Sequence, residues 1–349
     1  MNFGSDNMGP AHPKVMESVL HANDGYAIPY GGDLLMDEVR DRLRTLFEAP
    51  EAEVFLVATG TAANALALST LVQPWQAVFC SAVAHIHADE CGAPELFTGG
   101  SKLILVPETD ARIDAKGLST TIEEGLPRGL HYVQRGALSL TQVTERGTVY
   151  PPETLAELAR IAKAHDMPVH LDGARFANAL VALGCSPAEM TWKAGIDAVS
   201  FGATKNGCMG VEAVILFDPD WAAEFAFRRK RGAHLFSKHR YLSAQMAAYL
   251  RDDLWLDMAR ASNAAMARLA KGLRALPGTT LLHPVEANMA FVTLPRAAHI
   301  RAVREGAAYF LTLEELEGGA PDDPIAARLV TNWSTTDDEI DRFLALLAG

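Results

Sequence analysis

Seven short apolar runs alternate with helical stretches between residues 54 and 217, and this alternation restricts the possible folds more than any other feature of the chain. The runs are VFLVAT, AVFCS, KLILVP, ALSLTQV, MPVHLDGA, DAVSFG and VEAVILF. Strands that alternate with helices are typical of βαβ units, in which helices cover both faces of a parallel sheet. We therefore predict an α/β fold whose core is a mostly parallel, seven-stranded sheet.

The remainder of the chain predicts a second, smaller unit. Long helical segments follow Pro219 and end at the breaker Pro277-Gly278, and two further strand-like runs, NMAFVTL and ARLVTNW, come after them. Chains above roughly 250 to 300 residues usually divide into two domains. We predict a large α/β domain over residues 1–250, including an N-terminal segment that reaches the functional site, and a small C-terminal α+β domain over residues 251–349.

The charge of the chain argues against large polyanionic partners. The formal net charge is −12, and acidic and basic residues are interspersed. Nucleic acid or an anionic membrane is therefore not expected as a partner. The N-terminal residues MNFGSDNMGP have neither a basic start nor an apolar core, and no run approaches the ~20 apolar residues of a membrane span. These features predict an acidic, cytoplasmic enzyme that acts on small molecules.

The four cysteines do not predict a structural role. Cys80, Cys91, Cys185 and Cys208 are scattered, without CxxC pairing or a matching histidine framework. Zinc sites and disulfide scaffolds both need such spacing. We expect no metal site and no disulfide, and we predict reduced, mostly buried thiols.

A phosphate site is suggested where the first strand runs into a helix, in ATGTAANAL from Ala58. Free backbone N–H groups at a helix N-terminus, the Thr61 hydroxyl and the small Gly60 together suit a phosphate dianion. Junctions of this kind are also common as plain helix caps. On its own, this stretch is consistent both with a phosphate site and with a plain helix cap.

An acid and an amine end two further strands. Asp172 follows VHL, and Lys205 follows AVSFGAT about thirty residues later. Ligands of open α/β sheets bind outside the carboxyl ends of the strands. Alone, Asp172 could be a helix cap and Lys205 a solvated charge. Together with the phosphate-type turn they predict pyridoxal 5'-phosphate, which needs a Schiff-base lysine, a carboxylate beside its ring nitrogen and a phosphate cradle.

Six stretches then carry a resemblance to a known family. In chain order they are FGSDNMG, YGGDLLMDEVRDRL, ATGTAAN, AHIHADE, VHLDGARFANA and RLVTNW. With them the chain resembles, nearly end to end, the threonine aldolase branch of the fold type I pyridoxal-phosphate enzymes. The resemblance implies reversible retro-aldol cleavage of β-hydroxy-α-amino acids to glycine and an aldehyde. L-threonine, L-allo-threonine and phenylserine are the implied substrates.

The same resemblance implies which residues hold the cofactor. Gly60 and Thr61 would bind its phosphate, and Asp172 would pair with the pyridinium nitrogen. Lys205 would form the Schiff base. Arg175 is also implied on the cofactor side of the site.

Histidines are the implied acid or base. His85 would stack on the cofactor ring and serve the substrate hydroxyl, although a half-buried loop histidine is the alternative, and His87 competes for the role. His131, in GLHYV, matches a second family histidine that is placed toward the substrate side chain.

The substrate carboxylate is implied to bind at Ser5, Arg175 and Arg328. Arginine suits this task because its planar fork binds a carboxylate through two parallel hydrogen bonds. The alternative for Arg328 is a surface arginine on an edge strand, but ARLVTNW is otherwise apolar, and a buried charge there would need an anionic partner. Tyr30 matches a tyrosine that lines the site, and it is a candidate to do so from a neighbouring subunit.

A shared active site is also implied. The basic stretch RRKRGAHLFSKHR, residues 228–240, matches a region that sends a basic residue to the phosphate of a neighbouring subunit, and Arg231, Lys238 and Arg240 all compete for this role. The alternative is a solvated helix face. The implied assembly is a homotetramer, a dimer of dimers.

The chain departs from the family pattern at two places. ATKNG stands where many relatives have Ser-Lys-Gly, and ALSLTQVTERGTVYP replaces a Glu-Asn-Thr-His run. These differences suggest relaxed or aryl-tolerant specificity. The rival functions are β-elimination, serine hydroxymethyl transfer and transamination on the same scaffold. A pyridoxal-phosphate-binding regulator is a further rival, but it would need a basic helix-turn-helix module that the chain does not offer.

Overall fold

A computed structural model describes residues 1–124, 129–311 and 316–349. Its strands are β1 (Glu53–Val57), β2 (Gln76–Ser81), β3 (Lys102–Val106), β4 (Glu108–Thr109), β5 (Arg112–Ile113), β6 (Gln134–Thr141), β7 (Val169–Gly173), β8 (Ala198–Gly202), β9 (Glu212–Leu216), β10 (Thr280–Leu281), β11 (Met289–Pro295) and β12 (Pro324–Val330). Its helices are α1 (Pro13–His21), α2 (Leu34–Leu46), α3 (Gly60–Leu71), α4 (His85–Ala88), α5 (Ala93–Thr98), α6 (Ala115–Glu124), α7 (Pro152–Lys163), α8 (Phe176–Leu183), α9 (Ala222–Arg231), α10 (Arg240–Leu250), α11 (Leu254–Ala275), α12 (Arg296–Arg304) and α13 (Asp337–Ala348).

The central sheet has seven strands in the order β1-β9-β8-β7-β6-β2-β3. Strand β9 runs antiparallel to both of its neighbours, and the other six strands run in one direction. The carboxyl ends of β1, β2, β6, β7 and β8 therefore meet at one edge of the sheet. The predicted fold, mostly parallel and seven-stranded, is confirmed.

Burial explains why the sequence shows these strands as continuous apolar runs. Every residue of β7, β8 and β9 is buried, since helices cover both faces of the sheet. A strand that is covered on both faces cannot alternate between polar and apolar residues. The polar residues inside these runs are therefore exceptions that need partners, and Asp172 and Glu212 are two of them.

Helix α3 follows β1 directly and begins at the sheet edge. The Thr59 hydroxyl accepts a hydrogen bond from Ala62 N and caps the helix. All residues from Ala62 to Leu71 are buried. Asn64 is an amide in this otherwise apolar helix, and it lies one turn below the helix N-terminus, on the side of the sheet edge.

A separate antiparallel sheet, β10-β11-β12, forms the C-terminal part with α12 and α13. Its apolar core also includes Phe3, which is fully buried. Phe3 N donates to Ala308 O, and Phe3 O accepts from Val330 N. The N-terminal segment is thus fixed between the small sheet and the large one. The predicted boundary at residue 250 remains a prediction.

Helix α11 is the longest described helix, with 22 residues, but one of its faces is charged. It carries Asp257, Arg260, Arg268, Lys271 and Arg274. A span needs about 20 predominantly apolar residues. In the described parts of the chain, no helix combines the length and the apolar character that a membrane crossing requires.

The thiols are less buried than predicted. Cys80 and Cys208 are buried, Cys185 is half-buried, and Cys91 is exposed. Burial raises the pKa of Cys80 to about 12. The prediction of buried thiols is therefore correct for two of the four cysteines and wrong for Cys91.

Candidate active site

Three of the predicted residues lie at the carboxyl edge of the sheet. Asp172 is the next-to-last residue of β7, Lys205 is in the turn after β8, and His85 opens the helix after β2. They lie close together, since the charges of Lys205 and Asp172 both act on the pKa of His85. The strand order places an acid, an amine and an imidazole around one space.

Asp172 is held as a fixed carboxylate. It is 3% exposed. Its Oδ2 accepts a hydrogen bond of 2.8 Å from Asn64 Nδ2, and its Oδ1 accepts one of 2.9 Å from Ala174 N. A buried carboxylate that accepts a hydrogen bond at each oxygen is held in one orientation by the protein.

Lys205 lies in a short 3₁₀ turn that is anchored from below. Asn206, next to it, donates hydrogen bonds of 2.8 Å to Tyr249 Oη and to Trp255 O. Burial, and after it the charge of Arg175, lowers the pKa of Lys205. A lowered pKa favours the neutral, nucleophilic amine that Schiff-base chemistry requires.

A buried acid on β9 supports the same turn. Glu212 Oε2 accepts a hydrogen bond of 2.7 Å from Ala203 N, two residues before Lys205. Burial raises the pKa of Glu212 to about 7. The turn that presents the lysine is thus tied to the antiparallel strand by a side chain inside the core.

The start of α3 is open, as a phosphate cradle requires. A Cβ at Gly60 would meet no atom within 4 Å. Because Thr59 already satisfies Ala62 N, the N–H groups of Gly60 and Thr61 remain directed out of the helix end. With the positive end of the helix dipole, they fit a phosphate dianion. These residues fit the cofactor predicted from the sequence.

The structure distinguishes His85 from His87. The His85 ring is 37% exposed, and its Nδ1 lies 2.9 Å from Glu90 Oε1. This hydrogen bond raises the pKa of His85, while burial and the charge of Lys205 act to lower it. His87 is exposed on the outer side of the short helix. Of the two, His85 is therefore the histidine at the site.

His131 lies elsewhere in the subunit. It is exposed and precedes β6, whose last residue, Thr141, is the one at the carboxyl edge. Eight residues of strand separate the two ends, a length on the order of 25 Å. A single chain does not bring His131 to Lys205, because the histidine is at the amino edge of the sheet. Its predicted role would require a neighbouring subunit.

Arg175 is held by a residue that the sequence analysis did not single out. Its Nε donates to Asp6 Oδ2 (2.7 Å) and its Nη2 donates to Asp6 Oδ1 (3.0 Å). Burial alone would raise the pKa of Asp6, but the charges of Arg175 and Lys205 outweigh it and lower that pKa. Most of the Arg175 fork is thus used within the protein, which leaves less of it for a substrate or the cofactor.

Ser5 and Arg328 line a common cleft of about 530 Å³. Arg328 Nη2 donates to Gly4 O at 3.2 Å, and its guanidinium lies 5.0 Å from the centre of the Phe310 ring. Its Nε is buried and has no hydrogen-bond partner within the described residues. A buried donor of a charged group without a partner suits a carboxylate ligand.

Tyr30 and the basic stretch form one surface. Lys230 Nζ lies 5.1 Å from the centre of the Tyr30 ring, which is 48% exposed. The side chains of Arg231 and Lys238 are exposed, whereas Arg240 is half-buried and donates to Gly25 O. Arg231 and Lys238 are therefore more available to a neighbouring subunit than Arg240 is.

The sequence analysis did not single out five polar residues around the site: the buried Asp6, Asn64, Glu90 and Glu212, and the half-buried Glu145. The sequence did contain a signal for some of them. Glu212 interrupts the apolar run VEAVILF, and Glu145 follows the end of a strand, as Asp172 and Lys205 do.

Glu145 joins the strand β6 to the histidine. Its Oε1 accepts hydrogen bonds from His85 N (2.9 Å) and from Thr141 Oγ1 (2.8 Å). Burial, with a contribution from the charge of Asp172, raises the pKa of Glu145 to about 7. The acid thus lies in the stretch that departs from the family pattern, and it supports the backbone from which His85 projects.

Sequence comparisons relate the chain to a family of lyases. Residues 2–296 match the model of the beta-eliminating lyases. A low-specificity L-threonine aldolase of Pseudomonas aeruginosa is 40% identical over 99% of this chain and 98% of the relative. The enzyme of the same description from another Pseudomonas species is 38% identical over 98% of this chain and 96% of the relative.

Structural comparisons agree. The Leishmania major threonine aldolase superposes with a TM-score of 0.91 at 27% identity, covering 99% of this chain and 98% of that one. Aspartate aminotransferase from Thermus thermophilus superposes with a TM-score of 0.69 at 19% identity, covering 97% and 88%. The second likeness concerns the fold alone, which is that of the fold type I enzymes.

Proposed function

The chain belongs to the beta-eliminating lyase family, and from that membership and its low-specificity L-threonine aldolase relatives we propose that it is a pyridoxal-phosphate-dependent aldehyde-lyase. It cleaves β-hydroxy-α-amino acids between Cα and Cβ and releases glycine and an aldehyde, in a reversible reaction. L-threonine and L-allo-threonine are the proposed substrates, with phenylserine as the proposed aryl substrate.

The observation that carries the proposal is the meeting of four elements at one sheet edge. The open N-terminus of α3, the buried carboxylate of Asp172, the amine of Lys205 and the imidazole of His85 surround one space. Pyridoxal-phosphate chemistry needs a phosphate site, a carboxylate beside the ring nitrogen, an amine that forms the Schiff base, and a base. The four groups at this edge match these four needs one to one.

The cofactor would be held by residues that fit it. Gly60 and Thr61 would receive the phosphate, Asp172 would pair with the ring nitrogen, and Lys205 would form the Schiff base. When bound, pyridoxal phosphate supplies the electron sink that takes up the electron pair of the broken bond. The Asp172 carboxylate would lie beside the ring nitrogen, where a negative charge favours the protonated form of that nitrogen.

The chain's own residues then orient the substrate. Arg328 and Ser5 would hold its α-carboxylate in the cleft that they line, and Arg175 adds positive charge nearby. When the carboxylate of the substrate is held in place, rotation about the bond between Cα and the amino nitrogen is limited. The orientation that results selects which bond at Cα is broken. Asp6 in turn keeps the Arg175 side chain extended toward the site.

His85 moves the proton. Its Nε2 accepts the proton of the substrate β-hydroxyl, directly or through a water molecule, as the aldehyde leaves. General-base assistance of this kind typically contributes about 10² to 10⁴-fold. The Glu90 carboxylate on the opposite ring nitrogen stabilises the protonated ring.

We also propose a homotetramer built from dimers with shared active sites. Support comes from large apolar side chains that are exposed close to the basic stretch. Tyr26, Ile28, Leu34 and Phe227 are 108%, 68%, 86% and 78% exposed. Several exposed apolar side chains in one region of a surface are typical of a protein–protein interface. Arg231 or Lys238 would reach the phosphate of the neighbouring subunit.

The test is aldehyde release by purified, cofactor-loaded protein from each of the three substrates, without a keto acid. Equal amounts of aldehyde and glycine are expected, and the ranking of the substrates measures selectivity. A yellow protein that releases ammonia and a keto acid instead would transfer the proposal to β-elimination. Amino transfer that depends on an added keto acid would transfer it to an aminotransferase.

A further inference from the structure

A continuous hydrogen-bond chain links Asp172 to His85. Asn64 Nδ2 donates to Asp172 Oδ2 (2.8 Å) and to Glu90 Oε1 (2.9 Å), and Glu90 Oε1 lies 2.9 Å from His85 Nδ1. The four side chains come from β7, α3 and the segment that begins with α4. Asn64 and Asp172 are 108 residues apart in the chain.

The chemical groups that meet in this series of hydrogen bonds determine which of them donates in each bond. Asn64 faces two carboxylates, so its NH₂ group must point to them, because its carbonyl oxygen would be repelled by both. Glu90 Oε1 therefore already accepts one hydrogen bond. An ionised carboxylate oxygen can only accept hydrogen bonds, so it is also the acceptor in the hydrogen bond with His85. His85 Nδ1 is therefore the donor.

We propose that Asn64 and Glu90 are positioning residues that fix His85 with its proton on Nδ1 and leave Nε2 free to accept the substrate proton. This inference rests on the proposed aldolase function. The Glu90 carboxylate acts on His85 as an orienting acid does on a catalytic histidine, through the nitrogen that faces away from the substrate.

The free nitrogen faces the space where the substrate must bind. The His85 ring is 37% exposed, and within the described residues its Nε2 has no hydrogen-bond partner. The other side of the ring is closed, since the Glu90 side chain is fully buried and Asn64 is 2% exposed. Only one ring nitrogen is thus open to a reacting group.

Burial restricts the movement of these hydrogen-bonded side chains. Glu90 Oε2 and Asn64 Oδ1 are both buried without a hydrogen-bond partner in the described part of the protein. Buried polar side chains that make directed hydrogen bonds have few alternative arrangements, because any rotation leaves more groups unpaired. The same network fixes the carboxylate of Asp172 and the ring of His85 relative to each other.

Four charged or titratable groups face His85. Glu90 bonds its ring, Asp172 and Lys205 act on it from β7 and from the turn after β8, and Glu145 contacts its backbone from β6. The hydrogen bond to Glu90 is the largest of these influences, and it raises the pKa of His85. Replacing Glu90 by a neutral residue should therefore lower that pKa.

The first test is Glu90→Gln in full-length, cofactor-loaded protein. Glutamine keeps the shape but removes the charge, so the acid limb of the kcat/KM profile should move to lower pH by about one unit. The pKa of His85, followed in histidine ¹³C–¹H spectra and assigned with His85→Asn, should fall by the same amount. In wild-type protein, ¹⁵N shifts should show neutral His85 protonated on Nδ1.

Asp110→Asn is the matched control. It neutralises the acid of another histidine–carboxylate pair, His283 Nδ1 to Asp110 Oδ1 at 2.7 Å, between β4 and β5, outside the site. We expect it to change neither the pH profile nor the pKa of His85. A shift as large as that of Glu90→Gln would mean that general electrostatics, not the chain of hydrogen bonds, sets the profile.

Asn64→Ala tests the other half of the chain and does not depend on the Glu90 variant. It removes a hydrogen bond to a charged group, so the Kd for pyridoxal phosphate should rise about tenfold or more. Unchanged cofactor affinity would contradict the role of Asn64, and protonation of wild-type His85 on Nε2 would contradict the whole inference. Absence of aldol cleavage by wild-type protein would refute the proposed function instead, since the ¹⁵N result would still stand.

Discussion

At the scale of single residues, the site depends on groups whose protonation the protein sets. Burial, and after it the charge of Arg175, lowers the pKa of Lys205, whereas the hydrogen bond to Glu90 raises the pKa of His85. An amine that is neutral can attack a carbonyl, and an imidazole beside an acid can hold a proton in transit. In the proposed function, the same edge of the sheet provides a nucleophile and a base.

Lys205→Ala should remove covalent cofactor attachment. Borohydride reduction of loaded wild-type protein should fix the cofactor on the peptide that contains Lys205, and mass spectrometry should find it there. The variant should show neither this label nor the yellow absorbance, and turnover should fall to background. Lys271→Ala, on the exposed face of α11, is the control and should behave as wild type. Retained steady-state turnover in Lys205→Ala would refute the assignment.

Arg328→Ala should separate substrate binding from cofactor binding. Loss of the guanidinium should raise KM and lower kcat, because the fork holds the substrate carboxylate before and during the reaction. The cofactor absorbance should be unchanged. Arg342→Ala removes an arginine that is 64% exposed on α13, and we expect no kinetic change from it. An unchanged KM in Arg328→Ala would count against the clamp.

The sequence predicts the position of a residue in the fold best where that residue lies at the end of a strand. Asp172 and Lys205 could be found because each ends an apolar run, and parallel strands carry such residues to one edge. Asn64 and Glu90 could not be found in this way, since their roles come from partners on other elements. His131 precedes its strand, and strand direction alone would have placed it at the opposite edge of one subunit.

At the scale of elements, the antiparallel strand β9 supports the lysine turn through a buried acid. Glu212 holds the backbone of Ala203, and the Lys205 turn follows directly. The acid is costly to ionise, since burial raises its pKa to about 7 from an ordinary value of 4.5. Strand β9 therefore helps to position the Lys205 turn, but its buried acid reduces the free energy of unfolding near neutral pH.

The stability of the folded chain should fall as pH rises through this range. Between pH 4.5 and about 7 the folded Glu212 binds a proton that the unfolded one releases, so the free energy of unfolding decreases with pH. The difference is up to roughly 3 kcal/mol for 2.5 pH units. Glu212→Gln should flatten this dependence in urea denaturation of protein stripped of cofactor, at fixed subunit concentration.

The exposed Glu17→Gln on α1 is the control for this experiment and should leave the pH dependence as it is in wild type. A slope that is the same in Glu212→Gln and in wild-type protein would mean that Glu212 titrates normally in the fold.

Strands were easier to predict than their pairing. All seven runs became strands of the central sheet, because covered parallel strands leave long apolar signatures. The position of β9 between β1 and β8, and its antiparallel direction, has no local signal in VEAVILF. Order in a sheet follows from the packing of the whole domain, so a run of apolar residues cannot reveal it.

At the scale of the whole molecule, the N-terminal segment joins the two sheets. Phe3 is in the C-terminal core, and Asp6, three residues later, binds Arg175 at the start of α8. Residues at the two ends of the chain, Ser5 and Arg328, thereby share one cleft. The resemblance to known relatives indicated these positions, but nothing in composition or periodicity did so.

Assembly should be required for activity. We expect wild-type protein to sediment as a tetramer, and at least as a dimer. Ile28→Asp combined with Phe227→Asp places charges on the exposed apolar surface and should produce smaller, inactive species in analytical ultracentrifugation. Leu282→Asp, on the small domain and 44% exposed, is the control and should leave the assembly intact. A stable monomer with full activity would contradict shared active sites.

The central claim is that this sheet edge breaks the Cα–Cβ bond of a β-hydroxy-α-amino acid, and ¹H NMR of the products formed from L-threonine in D₂O tests it most directly. We predict acetaldehyde and glycine in equal amounts, with solvent deuterium at the glycine Cα, because that carbon is reprotonated after the aldehyde leaves. Formation of 2-oxobutanoate and ammonia, with no glycine, would contradict the account, since the bond broken would then be the one between Cβ and oxygen.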